Sequence, residues 1–78
     1  MNIDEFINKF IGCFDGIEPG KVLAETQFRD LPEWDSLTAL TMLAMIDSDY
    51  DVTISASELG MCNSAFEIFN LINKKKNK

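Results

Sequence analysis

The chain of 78 residues contains no histidine, and that absence removes the usual base for activating a serine or cysteine nucleophile. It has only two cysteines, Cys13 and Cys62. These are too few for the disulfide framework of a small secreted domain, so the expectation is two free thiols and a cytoplasmic location. No long apolar run exists either. The longest, Ala39 through Ile46 with Thr41 inside it, is far too short to span a bilayer, and the opening MNIDEF is acidic where a signal peptide is basic. Positive charge is missing from a long middle stretch. From Leu31 to Asn73 there are seven acids, Glu33, Asp35, Asp47, Asp49, Asp51, Glu58 and Glu67, and no Lys or Arg. With a formal net charge of −6, such a surface repels nucleic acid and anionic lipid and favours basic partners. The terminal KKKNK reads as a complement to the negative end of a helix dipole, with residues 74–78 a frayed basic tail.

What is present is helical periodicity. Ile3, Phe6, Ile7, Phe10, Ile11 and Phe14 fall at i, i+3, i+4, i+7, i+8 and i+11, one apolar stripe on a helix over 3–14. Asn2 with Glu5 supplies a start signal and Gly16 a stop. Gly16, Pro19, Gly20 and Pro32 then exclude a continuous helix, yet Ile17, Val22, Leu23, Phe28 and Leu31 are too apolar for a free linker. The expectation is a long ordered loop, with Thr26 capping a short turn through Phe28 to Leu31. A second helix starts at Asp35 or Ser36 and runs to about Tyr50. Its core stripe is Ala39, Met42, Leu43, Ile46 and Tyr50, and a second stripe, Leu37, Leu40, Thr41, Ala44 and Ser48, lies on another face. A helix packed on one side does not need both. Val52 and Ile54 form an extended connection with two anchors. Ser55 with Glu58 begins a short helix to about Met61, and Ser64 with Glu67 begins a last one to about Lys75, with Ala65, Ile68, Phe69 and Ile72 inward. The fold predicted is a single all-α domain over 1–78, a small four-helix bundle of three principal helices and one short one.

Two constellations carry possible chemistry. In DSDYDVTISASE, residues 47–58, Asp47, Asp49, Asp51, Ser55 and Glu58 stand at ligand positions of a calcium-binding helix-loop-helix loop. Position 6 of that loop calls for glycine and is β-branched Val52, so this single-site calcium reading stays an alternative. The other is EWDSL, residues 33–37. With Asp35 as cap, Ser36 sits in the first helical turn, where free backbone N–H groups and the positive dipole end favour an attached phosphate. Self-contained hydrolysis at Ser36 is excluded in practice by the missing base.

The residues WDSL followed by TALTMLAMIDSDYDVTI, with Tyr50, Asp51, Ile54 and the helix from Ser64 in place, resemble the carrier-protein family, the acyl and peptidyl carrier proteins, over essentially the whole chain. The resemblance implies that Ser36 carries 4′-phosphopantetheine, attached covalently by a separate phosphopantetheinyl transferase, whose thiol holds acyl groups as thioesters for transfer among enzymes. It implies no catalysis by the chain itself. Asp35 would position the transferase and its magnesium ion, and Leu37, Thr38, Leu40, Thr41, Ala44, Asp47 and Ser48 would meet loading and transfer enzymes through basic or apolar patches. The acyl group would lie on the surface or in a cleft between the second and third helices, lined by Met42, Ile46, Ile54 and Met61. A monomer without nucleic-acid partner or membrane insertion is expected. Threonine at 38 and 41, where fatty-acid carriers usually place acids, and Trp34 before Asp-Ser-Leu resemble free-standing carriers of specialised pathways, such as polysaccharide or secondary-metabolite synthesis, more than the carrier of fatty acid biosynthesis. An unmodified helical interaction module is the remaining rival.

Overall fold

A computed structural model describes residues 2–14 and 16–76. Among them are four α-helices, α1 (Ile3–Gly12), α2 (Ser36–Tyr50), α3 (Ala56–Gly60) and α4 (Ala65–Lys76), and no strand beyond an isolated bridge between Gln27 and Ser64. This is the all-α bundle of three principal helices and one short one, with a long loop between α1 and α2. No described helix is long and apolar enough to cross a membrane. Both cysteines are free thiols.

Each helix starts where a side chain satisfies its free N–H groups. The Asn2 amide oxygen accepts from the backbone N–H of Asp4 at 2.8 Å and of Glu5 at 3.2 Å. Ser55 and Glu58 form a reciprocal box at the head of α3, at 3.0 and 2.9 Å. The Ser64 hydroxyl accepts from the N–H of Glu67 at 3.3 Å ahead of α4. α1 ends at Gly12, two residues short of the apolar stripe, and Gly16 with φ 79° takes the backbone where other residues resist going. α2 ends without glycine. Asp51 occupies the left-handed cap at φ 56°, a conformation that aspartate tolerates better than most residues.

The core is built on aromatic rings. Phe6 and Phe10 of α1 are fully buried, as are Phe28 of the loop, Met42 and Ile46 of α2, and Ile68 and Ile72 of α4. Phe6 stands 5.8 Å from the Tyr50 ring and 5.9 Å from Phe69, so α1 packs α2 and α4 at once. Phe10 meets Phe28 at 5.6 Å, and Phe28 meets Trp34 at 4.6 Å. Through this chain of rings, the α1 core fixes the residue that precedes Asp35 and Ser36.

The loop is ordered by two short 3-10 turns, Pro19–Lys21 and Phe28–Asp30, and by buried Val22 and Phe28. Thr26 does not cap the second turn as expected; its hydroxyl accepts from the Leu23 N–H at 2.9 Å. An Ala24 carbonyl accepting from the Phe66 N–H at 3.0 Å ties the loop to α4. Val52 and Ile54 are buried anchors of an extended connection, as their alternation implies. The last helix ends within one residue of the expected Lys75, while the start of the expected frayed tail is helical. α4 continues through Lys76 instead of fraying from residue 74, because Lys75 donates to Glu58 at 2.9 Å and to the Thr53 carbonyl at 3.1 Å, and Lys76 to the Tyr50 carbonyl at 3.0 Å. The Lys76 ammonium on the last carbonyl of α2 also complements the negative dipole end of that helix. Asn77 and Lys78 lie outside the described residues.

Candidate functional site

The head of α2 carries the site. Asp35 is extended backbone and caps the helix. One oxygen of its carboxylate accepts from the Thr38 N–H and from the Thr38 hydroxyl, each at 2.8 Å. These bonds, the backbone one foremost, hold the Asp35 carboxyl below the usual carboxylate range. An aspartate so stabilised is a poor base. Ser36 is the first residue of the helix and is exposed, with no hydrogen bond to its hydroxyl found among the described residues. It is the one member of the EWDSL stretch that combines a nucleophilic oxygen, exposure and a helix start.

The two stripes of α2 separate as their spacing demands. Met42, Ile46 and Tyr50 are buried, with Ala39 and Leu43 packed against the core's edge. On the other face Leu37, Leu40, Thr41, Ala44 and Ser48 are all exposed, Leu37 by 71% and Leu40 by 64%. Thr41 turns its hydroxyl back onto the Leu37 carbonyl at 3.0 Å, which leaves its methyl to the surface. Asp47 is exposed at the far end of this face. Thr38 departs from the expected docking set. It is only 6% exposed because it lies one turn before Met42 on the buried face of α2, and its hydroxyl donates to the cap residue Asp35.

Beside Ser36 an open groove of about 350 Å³ runs between α2 and α3, with Trp34, Ala39, Leu40, Leu43 and Leu59 on its walls. This groove lies between the helices where a cleft is expected, but none of the expected residues lines it. Met42 and Ile46 are fully enclosed core, Ile54 is 5% exposed, and Met61 is 79% exposed on a separate concavity against Glu67 and Leu71 of α4. The reason is helical phase. Ala39 and Leu43 sit at the flank of the buried stripe, where α2 turns toward α3, while Met42 and Ile46 point into the bundle's centre. A second concavity, of about 510 Å³, flanks the other side of the helix head and is more polar, with Glu33, Asp35 and Thr41 on it.

The alternative calcium constellation comes apart. Asp49 pairs with Lys9 at 3.2 Å, Asp47 accepts from the Thr53 hydroxyl at 3.3 Å, and Glu58 is taken by the Ser55 N–H and by Lys75. Among the described residues no group of three or more His, Cys, Asp or Glu side chains is disposed to hold a metal ion. The left-handed residue is Asp51, not the sixth-position Val52 that such a loop would need.

Sequence reasoning missed Arg29. Its guanidinium reaches 30 or more residues along the chain to the carbonyls that end α3, and it also borders the Ser36 groove. The available signal was that Arg29 is the one cation between Lys21 and Lys74. Compared with models of protein families, with curated proteins and with solved structures, the chain matches none.

Proposed function

We propose that this chain is a carrier protein: Ser36 accepts 4′-phosphopantetheine from coenzyme A through a separate transferase, and the thiol of that arm carries acyl groups as thioesters between enzymes. The observation that carries this reading is the coincidence, on one helix, of an exposed serine at the first position and an exposed apolar stripe leading away from it. A bundle helix gains stability from one buried face. Its second apolar face costs solubility unless a partner covers it.

The chemistry follows from the surroundings of Ser36. In the transfer, the serine oxygen forms a new bond to phosphorus, the bond from that phosphorus to the nucleotide half of coenzyme A breaks, and the serine proton must go to a base. Asp35 is a weak candidate, being held ionised by Thr38, and the chain has no histidine. The base therefore belongs to the transferase, and the chain contributes position and not catalysis. Once attached, the phosphodiester stands by the free N–H groups and positive dipole end of α2, which stabilise its charge. The arm then has the groove of Trp34, Leu40 and Leu59 beside it.

Partners are enzymes with an apolar patch for Leu37, Leu40 and Ala44 and basic groups for Asp47 and the acidic surroundings. The thin charge at the head of α2, where residues 38 and 41 are threonine, favours a free-standing carrier of a specialised pathway. The test is intact-mass measurement after incubation with a broad-specificity phosphopantetheinyl transferase, magnesium and coenzyme A, on wild type and Ser36→Ala. Wild type should gain one phosphopantetheine and Ser36→Ala none.

A further inference from the structure

α3 is five residues long, far below the length at which a helix holds itself together, and it forms one wall of the groove beside Ser36. Something outside it must fix its position. Its N-terminal end has the Ser55–Glu58 box and the Lys75–Glu58 pair at 2.9 Å. At its C-terminal end the Cys62 N–H closes on the Leu59 carbonyl at 3.1 Å and the buried Leu59 and Cys62 side chains join the core, and one cationic side chain reaches in from the loop. The Nη2 group of Arg29 donates to the carbonyl oxygens of Leu59 at 3.1 Å and Cys62 at 2.5 Å, and to that of Gly60.

These are carbonyls of the last turn of α3 and the residues just beyond it; that of Leu59 also accepts from the Cys62 N–H at 3.1 Å, and the end of a helix leaves such oxygens with acceptor capacity to spare. A guanidinium there supplies charge-assisted bonds, all from the one Nη2 amino group, and meets the negative end of the peptide dipoles. Arg29 is itself held in place. It follows Phe28, whose ring is fully buried, and its guanidinium carbon lies 5.8 Å from that ring. The same Phe28 ring touches Trp34, at 4.6 Å. One anchor thus positions both the arginine that holds α3 and the tryptophan that forms another part of the groove.

We propose that Arg29 is a latch: it is the positioning residue that sets α3 against α2 and so fixes the shape of the groove next to Ser36. Removing it frees the end of α3 while leaving the α1, α2 and α4 core in place, because that core is filled by Phe6, Phe10, Ile46, Ile68 and Ile72 and none of these depends on the guanidinium. Only the assignment of the groove to a prosthetic arm rests on the carrier reading. The latch itself is a property of the unmodified chain.

The experiment compares unmodified wild type, Arg29→Met and Arg29→Lys by residue-resolved amide exchange, with acrylamide quenching of Trp34 as a second signal. Arg29→Met keeps an apolar stem over Phe28 and removes every donor. It should speed exchange of the Leu59, Met61 and Cys62 amides at least about tenfold, a loss of roughly one charge-assisted bond, with Phe6 and Ile68 unchanged and Trp34 quenched more readily. Arg29→Lys, which keeps a positive charge and N–H donors on a more mobile stem, should recover part of both effects. Equal exchange at α3 in wild type and Arg29→Met overturns the latch, and so does an acceleration of the same size in α1 and α4. Should Arg29→Met not fold, Arg29→Gln is measured and the same two outcomes decide. A wild-type protein that takes up no phosphopantetheine overturns the carrier reading and leaves the exchange result standing.

Discussion

Two leucine-sized side chains two positions apart on α2 should behave as if they belonged to different proteins. Met42 is fully buried and Leu40 is 64% exposed. Met42→Ala removes a fully buried side chain from the core cluster and leaves a cavity there, a change that costs about 2–5 kcal/mol. A chain of this length has total stability of about 4–12 kcal/mol at roughly 0.05–0.15 kcal/mol per residue, so Met42→Ala takes a large share of it. Leu40 has only about a third of its surface covered. Full burial of such a side chain gives about 1.5–3 kcal/mol, so Leu40→Ala should cost no more than about 0.5–1 kcal/mol. Alanine's helix propensity offsets part of even that. The assay is urea unfolding followed by circular dichroism. With a slope of about 1 kcal/mol per molar, Met42→Ala should lower the midpoint by about 2 M or more and Leu40→Ala by less than about 1 M. Equal losses would refute the reasoning, because the second stripe would then be holding the bundle together and would not be free for partners.

Acid should weaken the fold from its caps. Asp35 is held low first by the Thr38 N–H, Glu58 first by the Ser55 N–H and then by Lys75, and Glu33 first by Lys21. Carboxyls lowered on folding stabilise above their ordinary values of 3.8 and 4.5 and lose that contribution as pH falls through the folded values. The unfolding midpoint should therefore be level near neutrality and drop below about pH 4.5; a midpoint that rises there contradicts the assignment. Burial pushes the Cys13 thiol up to about 11 from 9.0, so at pH 8 its thiolate is about a hundredfold scarcer than that of an ordinary cysteine. Iodoacetamide should label Cys13 slowly in native protein and quickly in urea, and rapid native labelling would show the thiol to be open. Calcium at micromolar concentration should leave Trp34 and Tyr50 fluorescence unchanged, because Asp49 and Glu58 are engaged by lysines; a saturable change would restore the helix-loop-helix reading.

Local signals in the sequence were reliable because their physics is local. Asn2, Asp35, Ser55 and Ser64 each cap the helix that follows, and the donors they satisfy lie within three residues. The phase of α2 was also legible. Two stripes at helical spacing had to face different ways, and one had to be outside. What did not show was contact across distance. Arg29 reaches Cys62 and Lys75 reaches Thr53, and no pattern within one segment announces such pairs. Thr38 was misplaced although its spacing of four from Met42 puts it on the buried face of α2; its polar side chain masked a position that the phase of the helix gives. The groove was placed between the right helices but given core residues, since spacing separates buried from exposed faces more sharply than it separates the core from its flank. Asp51 in the left-handed cap is where glycine would ordinarily signal a helix end, and its aspartate gave no such sign.

Ser36 is the point on which the functional account rests, and its chemistry is measured directly by weighing the protein. After transferase and coenzyme A, peptide mapping of the modified chain should place a single phosphopantetheine on the peptide that contains Asp35, Ser36 and Leu37. A wild-type mass that does not change while a known carrier in the same tube is fully modified, or an adduct on any other residue, would contradict it.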